Sequence, residues 1–136
     1  MRKQILKQLR KNSRKSISKI AREEKIATTT VFEEQQKLEK IIHKHTTIVD
    51  FRKLGFGQRN LLFVKAKNKQ ALFSFLSKHP NINNFHKVES FNFGFETVFA
   101  NMKQFYDFLE QLEQFEIEDL HKYELIEDIK REEFLG

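Results

Sequence analysis

The chain has no cysteine and no tryptophan, one proline and four glycines among its 136 residues. Without thiols it has no disulfide framework, no cysteine-rich zinc site and no thiol nucleophile. With so little glycine, neither GxxxxGK[ST] nor GxGxxG occurs, so no glycine-rich loop is available to cradle a phosphate. No apolar run approaches 18 residues, and nothing in the sequence is long and apolar enough for a membrane helix. Acid is missing locally: residues 1–22 contain no Asp or Glu. No motif calls for a cofactor or a metal.

What is present is charge, unevenly spread. Residues 1–60 carry 16 Lys/Arg against 6 Asp/Glu, or +10, while residues 61–136 carry 9 against 13, or −4; together they give the net +6. An asymmetry of this size between halves points the first half at a polyanion. Phenylalanine is skewed the other way, with all but one of the 15 after residue 50.

The apolar pattern changes with the charge. Ile5, Leu6 and Leu9 form a short helical stripe that Asn12-Ser13 breaks. Ser16 reads as an N-cap for a second helix bearing Ile17, Ile20 and Ala21. Thr28-Thr29-Thr30 opens a third, marked by Val31, Leu38 and Ile41/Ile42. Each is too short to be stable alone, so the three must share a core, in the manner of a helix-turn-helix module. Beyond Ile42 the spacing predicts a short strand at Thr47–Val49, a connection at Leu54–Gly57 and a strand over Asn60–Lys65. A helix over 68–79 follows, stopped before Pro80. Then come a strand over Phe85–Phe91, a turn at Asn92-Phe93-Gly94, a strand over Thr97–Ala100, a helix over 102–115 and a last strand through Tyr123, Leu125 and Ile129. The expected fold class is α+β: a winged helix-turn-helix over residues 1–50 and a ferredoxin-like βαββαβ domain over 51–136. A Phe-rich sheet with helices on one side leaves its other side to be covered, and a second copy of the same sheet is the natural cover. A homodimer is therefore expected.

Several stretches carry a family resemblance: Asn12 to Ala21 (NSRKSISKIA), the Thr28-Thr29-Thr30-Val31 opening, Leu38 to Asp50 (LEKIIHKHTTIVD) and Lys53-Leu54-Gly55-Phe56. In this order, followed by the six-element pattern, they resemble the Lrp/AsnC (feast/famine) family of prokaryotic transcriptional regulators. The resemblance implies a cytoplasmic regulator that is not an enzyme. It binds double-stranded DNA through its first domain, forms homodimers that assemble into higher oligomers of dimers, and senses an amino-acid effector through its second domain. Against the family pattern, Lys25 replaces a turn glycine, Ala27 an N-cap serine, and Glu33 and Glu34 occupy an arginine-rich region. Gly94 matches the glycine of a Gly-x-x-Asp turn whose aspartate is replaced by Thr97, with Glu96 just before it.

A recognition helix places a few side chains in the major groove while basic groups elsewhere hold phosphates. The expected phosphate contacts are Lys3, Lys7, Arg10, Lys11, Arg14, Lys15 and Lys19, with Arg22 beyond them and Ser13 and Ser16 adding neutral contacts. Thr28, Thr29 and Thr30 can meet phosphate or a thymine methyl group, and Lys37 the backbone. Glu33 and Glu34 only accept hydrogen bonds and repel phosphate. They motivate an alternative: a dimerising sensor or interaction protein whose helix-turn-helix has lost DNA binding. For an effector, turn N–H groups near Gly94 would meet a carboxylate and Glu96 an ammonium, beside Thr97. His43 and His45, two residues apart, lack a third ligand nearby in sequence.

Overall fold

The computed structural model describes all residues, Met1–Gly136. The chain divides into two units: residues 1–48 with 129–136, and residues 49–128.

In the first unit, α1 (Arg2–Lys11), α2 (Ile17–Glu24) and α3 (Thr28–Leu38) bury Ile5, Leu9, Ile20, Ala21, Val31 and Leu38 in one small core. Leu6, Ile17, Ile26 and Ile42 close its edges. The hydroxyl of Ser16 accepts from the N–H of Lys19, capping α2. α2 ends on Lys25 in the left-handed region (φ 57°), a conformation that suits glycine better. Nothing caps α3 at Ala27. Arg2 Nε donates to Glu34 at 2.7 Å, tying the start of α1 to α3. Residues 129–136 return to this unit, where Arg10 donates to the Phe134 carbonyl at 2.8 Å and lies 3.6 Å from the Glu132 carboxylate.

The strand expected at Thr47–Val49, which would have contributed a wing, is not formed: residues 42–50 are irregular. Thr46, Thr47 and Ile48 are exposed, and no strand of the chain pairs with them. Two β-branched residues around an isoleucine favour a strand only when a neighbouring strand accepts them.

The second unit opens with a short 3-10 turn, Phe51–Leu54, and then runs β1 (Gln58–Ala66), α4 (Lys69–Lys78), β2 (Ile82–Lys87), β3 (Phe93–Phe99), α5 (Met102–Leu112) and β4 (Ile117–Glu124). The strands form one antiparallel sheet in the order β2-β3-β1-β4, the split βαβ arrangement. Leu62, Val64 and Ala66 of β1 and Phe93, Phe95 and Phe99 of β3 face the helices. They pack with Leu72 and Leu76 of α4 and Phe105, Phe108 and Leu112 of α5. Full burial of such side chains contributes about 1.5–3 kcal/mol each, so this core dominates the unit's stability.

Element types and order match the sequence pattern from Asn60 onward, but boundaries move. The β2–β3 reversal falls at Val88–Asn92, not Asn92–Gly94, and Ser90 supplies its left-handed residue (φ 70°). Gly94 sits inside β3, paired with Phe63 on one side and His86 on the other. A Cβ there would come within 3.0 Å of the Phe63 ring and 3.1 Å of Val88, so this glycine serves close packing rather than a turn. The last strand ends at Glu124, and Ile129 lies in the first unit.

Candidate functional site

Two places hold the expected functional residues. The first is the helical unit. Lys3, Lys7 and Lys11 recur every four residues and so share a stripe of α1. All three are exposed, as are Ser13 and Arg14 in the turn after α1 and Ser16 and Lys19 at the start of α2. Lys3, Lys7, Lys11, Arg14 and Lys19 take part in none of the chain's ion pairs. Arg22 is exposed, and its charge acts on the neighbouring Glu23. Two other expected cations are occupied. Lys15 is held by Glu23 and Gln8, and the Lys15 hydrogen bond lowers the Glu23 pKa. Arg10 is engaged by the C-terminal residues.

α3 follows α2 after Lys25-Ile26-Ala27. Taking buried Val31 as the inward direction, the 100° helical step sends Thr29, Glu33 and Gln36 to the opposite face and Phe32 to its flank. All four are exposed, Phe32 at 49%. Thr28 is exposed and Thr30 half-buried, so the three threonines do not act as a block. The two acids also part company. Glu33 points outward, whereas Glu34 is hydrogen-bonded by Arg2, which lowers its pKa, and paired with Lys37 at 3.6 Å. Lys37 is thus partly spent on Glu34. Phe32 and Gln36 were missed by sequence reasoning. The signal that could have found them is their position off the Val31/Leu38 stripe, Gln36 on the far side and Phe32 at the flank.

The second place is the sheet face away from the helices, with Arg59, Leu61 and Phe63 of β1 and Gly94, Glu96 and Val98 of β3. Glu96 is 4% exposed and takes hydrogen bonds from Arg59, Asn83 and Asn84. Arg59 also pairs with Asp128 and lies 5.8 Å from the Phe51 ring centroid. Burial works against the Arg59 charge, but hydrogen bonds to Asp128 and Glu96 outweigh it and raise its pKa. Thr97 faces the opposite way, into the helix-side core, where it is fully buried across from Asn60. Gly94, Glu96 and Thr97 therefore do not form one open site. The glycine's N–H lies within the sheet rather than a turn, and the acid expected to hold an ammonium already holds a guanidinium.

His43 and His45 are exposed on the irregular segment, and no group of three or more His, Asp or Glu comes together in a metal-binding cluster. No helix is long and apolar enough to cross a membrane.

No protein-family profile and no curated protein matches the sequence. Solved structures do match by shape. The transcriptional regulator NMB0573 of Neisseria meningitidis, determined with L-Met, superposes with a TM-score of 0.85 at 16% identity, over 96% of this chain and 90% of that one. LrpC of B. subtilis gives 0.84 at 22% identity, over 93% and 92%. An AsnC family transcriptional regulator from Agrobacterium tumefaciens gives 0.82 at 19% identity, over 96% and 91%. These neighbours are regulators, not enzymes. Over more than nine-tenths of its length, the chain has the fold of the Lrp/AsnC transcriptional regulators.

Proposed function

We propose that the protein is a DNA-binding transcriptional regulator that acts as a homodimer. In this reading α2 and α3 are a helix-turn-helix, α3 enters the major groove and the flanking cations hold phosphates. The observation that carries it is the set of exposed cations without ion-pair partners, Lys3, Lys7, Lys11, Arg14 and Lys19, on a unit of three short helices in a chain with the fold of the Lrp/AsnC transcriptional regulators. The outward face of α3 offers matching readout chemistry. Gln36 can bond an adenine edge, Phe32 and Thr29 can meet a thymine methyl group, and Glu33 can accept from a cytosine amino group.

Affinity then comes mainly from phosphate neutralisation, which releases counterions and makes binding salt-dependent. Titrating the whole 136-residue chain against random duplex DNA between 50 and 200 mM salt is expected to give a log–log slope of about −0.9 per phosphate contact. Changing Arg14→Gln together with Lys19→Gln removes two contacts and is expected to flatten the slope by roughly 2. Glu33→Gln is expected to tighten binding to random DNA, most at low salt, where screening is weakest. Glu34→Gln is expected to do less, because its charge is met by Arg2 and Lys37 within the fold. Absence of binding at 50 mM salt overturns the reading. It would leave the interaction-protein alternative, for which the exposed Phe32 would be an apolar anchor.

A further inference from the structure

A pocket of about 610 Å³ opens between α4 and the β2–β3 reversal, within the range of small-molecule sites. Its apolar walls are Phe73, Val88, Phe91 and Phe93. Phe73 is 46% exposed, and its ring lies 5.6 Å from Phe85 and 6.0 Å from Phe93. It stands at the pocket rather than in the core. The walls are held in place from behind. Leu72 and Leu76 anchor α4 in the core. The reversal is pinned to β1 by Asn92, whose side chain accepts from the Ala66 N–H at 2.7 Å and whose own N–H donates to the Val64 carbonyl at 2.9 Å.

The charged groups of the pocket have one sign. Lys69 and Lys87 both line it, both are exposed, and neither takes part in an ion pair. The remaining polar wall groups are neutral amides and one hydroxyl, and no carboxylate lines the pocket. Lys69 and Gln70 are the first residues of α4, whose N-cap Asn68 makes no side-chain capping bond, so the helix dipole adds positive potential on the same side.

We infer that this pocket binds a small monocarboxylate with an aromatic or branched apolar tail and no ammonium group. The tail would lie against Phe73, Phe91 and Phe93, with the carboxylate between Lys69 and Lys87 in charge-assisted hydrogen bonds. A free amino acid is disfavoured because its ammonium would sit beside two lysines with no carboxylate to receive it, and like charges repel. The inference rests on reading the second unit as the sensing part of a regulator, but not on DNA binding by the first.

Three probes sharing one phenethyl skeleton separate the alternatives: 3-phenylpropionate, L-phenylalanine and phenethylamine. Calorimetric titration of the whole 136-residue chain is expected to show 3-phenylpropionate binding at least about tenfold more tightly than L-phenylalanine, and phenethylamine not at all. Amide shifts on binding should cluster on residues 69–74 and 87–93. Lys69→Gln with Lys87→Gln alters only exposed side chains, so the fold is expected to persist by circular dichroism. Affinity for the acid should fall about tenfold or more and its preference over the amino acid should vanish. Phe73→Ala should weaken the binding of the acid while leaving the preference intact. Equal or tighter binding of L-phenylalanine, shifts clustered elsewhere, or no binding of the acid at millimolar concentration overturns the inference. DNA titration of the same preparation separates the two readings. DNA binding without acid binding would remove only the pocket assignment, and acid binding without DNA binding would remove only the helix-turn-helix reading.

Discussion

At the scale of single residues, His79 shows how local packing becomes a pH dependence. It follows α4, with its ring 5.1 Å from Phe108, 5.4 Å from Phe75 and 6.1 Å from Phe99. Burial among these rings lowers its pKa from the ordinary value near 6.5. Its Nδ1 accepts from the Asn81 N–H at 3.1 Å, which requires that nitrogen to be unprotonated. Because the folded value lies below the unfolded one, the unfolded chain takes up the proton first as pH falls. The contribution of His79 is complete above about pH 6.5 and is lost progressively below it. His79→Gln keeps an acceptor and removes the titration. Urea midpoints at pH 7.5 and 5.5 should therefore fall further for the wild type than for the variant, and equal falls would rule out His79 as the source. The residue scale is also where function was hardest to read. Glu33 and Glu34 are adjacent in sequence and 100° apart on the helix. Only the Arg2 contact reveals that one is neutralised within the fold while the other faces outward.

At the scale of elements, what was legible depended on where each signal came from. Helices with a buried stripe, such as the Phe105–Phe108–Leu112 face of α5, were readable because the period is carried by the residues themselves. Strand limits were not, because β3 is buried on both faces and its run Phe93–Phe99 shows no alternation. Gly94 beside Asn92 looked like turn chemistry, yet the reversal is made by Ser90 in a left-handed conformation. That error displaced the expected effector residues from a turn into a strand, and with it the site. The actual reason for glycine can be tested. Gly94→Ala places a methyl group against Phe63 and Val88, and overpacking of this kind costs about 1–3 kcal/mol. In a Phe63→Leu background part of the obstruction is gone, so the added cost of Gly94→Ala should shrink. A double-mutant cycle from urea unfolding reads that coupling, and strict additivity would show that Phe63 is not what excludes a side chain there.

At the scale of the whole molecule, the question is what covers the sheet face away from the helices. Part of it is covered from within the second unit: Arg59 draws Asp128 and the Phe51 ring together around Glu96, and Glu96 and Val98 are buried. The rest is aromatic and open. Leu61 pairs in register with Tyr123, which is 55% exposed, and Phe63 pairs with His121. Phe91 packs against both Phe63 and His121, with ring centroids at 5.8 and 5.3 Å. A second copy would bring the same surface with the same curvature, the arrangement a two-fold interface needs. The 136-residue chain is therefore expected to sediment at about twice its 16.4 kDa mass at micromolar concentration. Leu61→Lys with Tyr123→Lys places two pairs of like charges across that interface while altering no residue of the helix-side core. It should give a folded monomer, and because a dimer is needed to engage two half-sites at once, DNA affinity should fall with it. A wild type that is monomeric at micromolar concentration, or a double variant that remains dimeric, would exclude this face as the dimer contact.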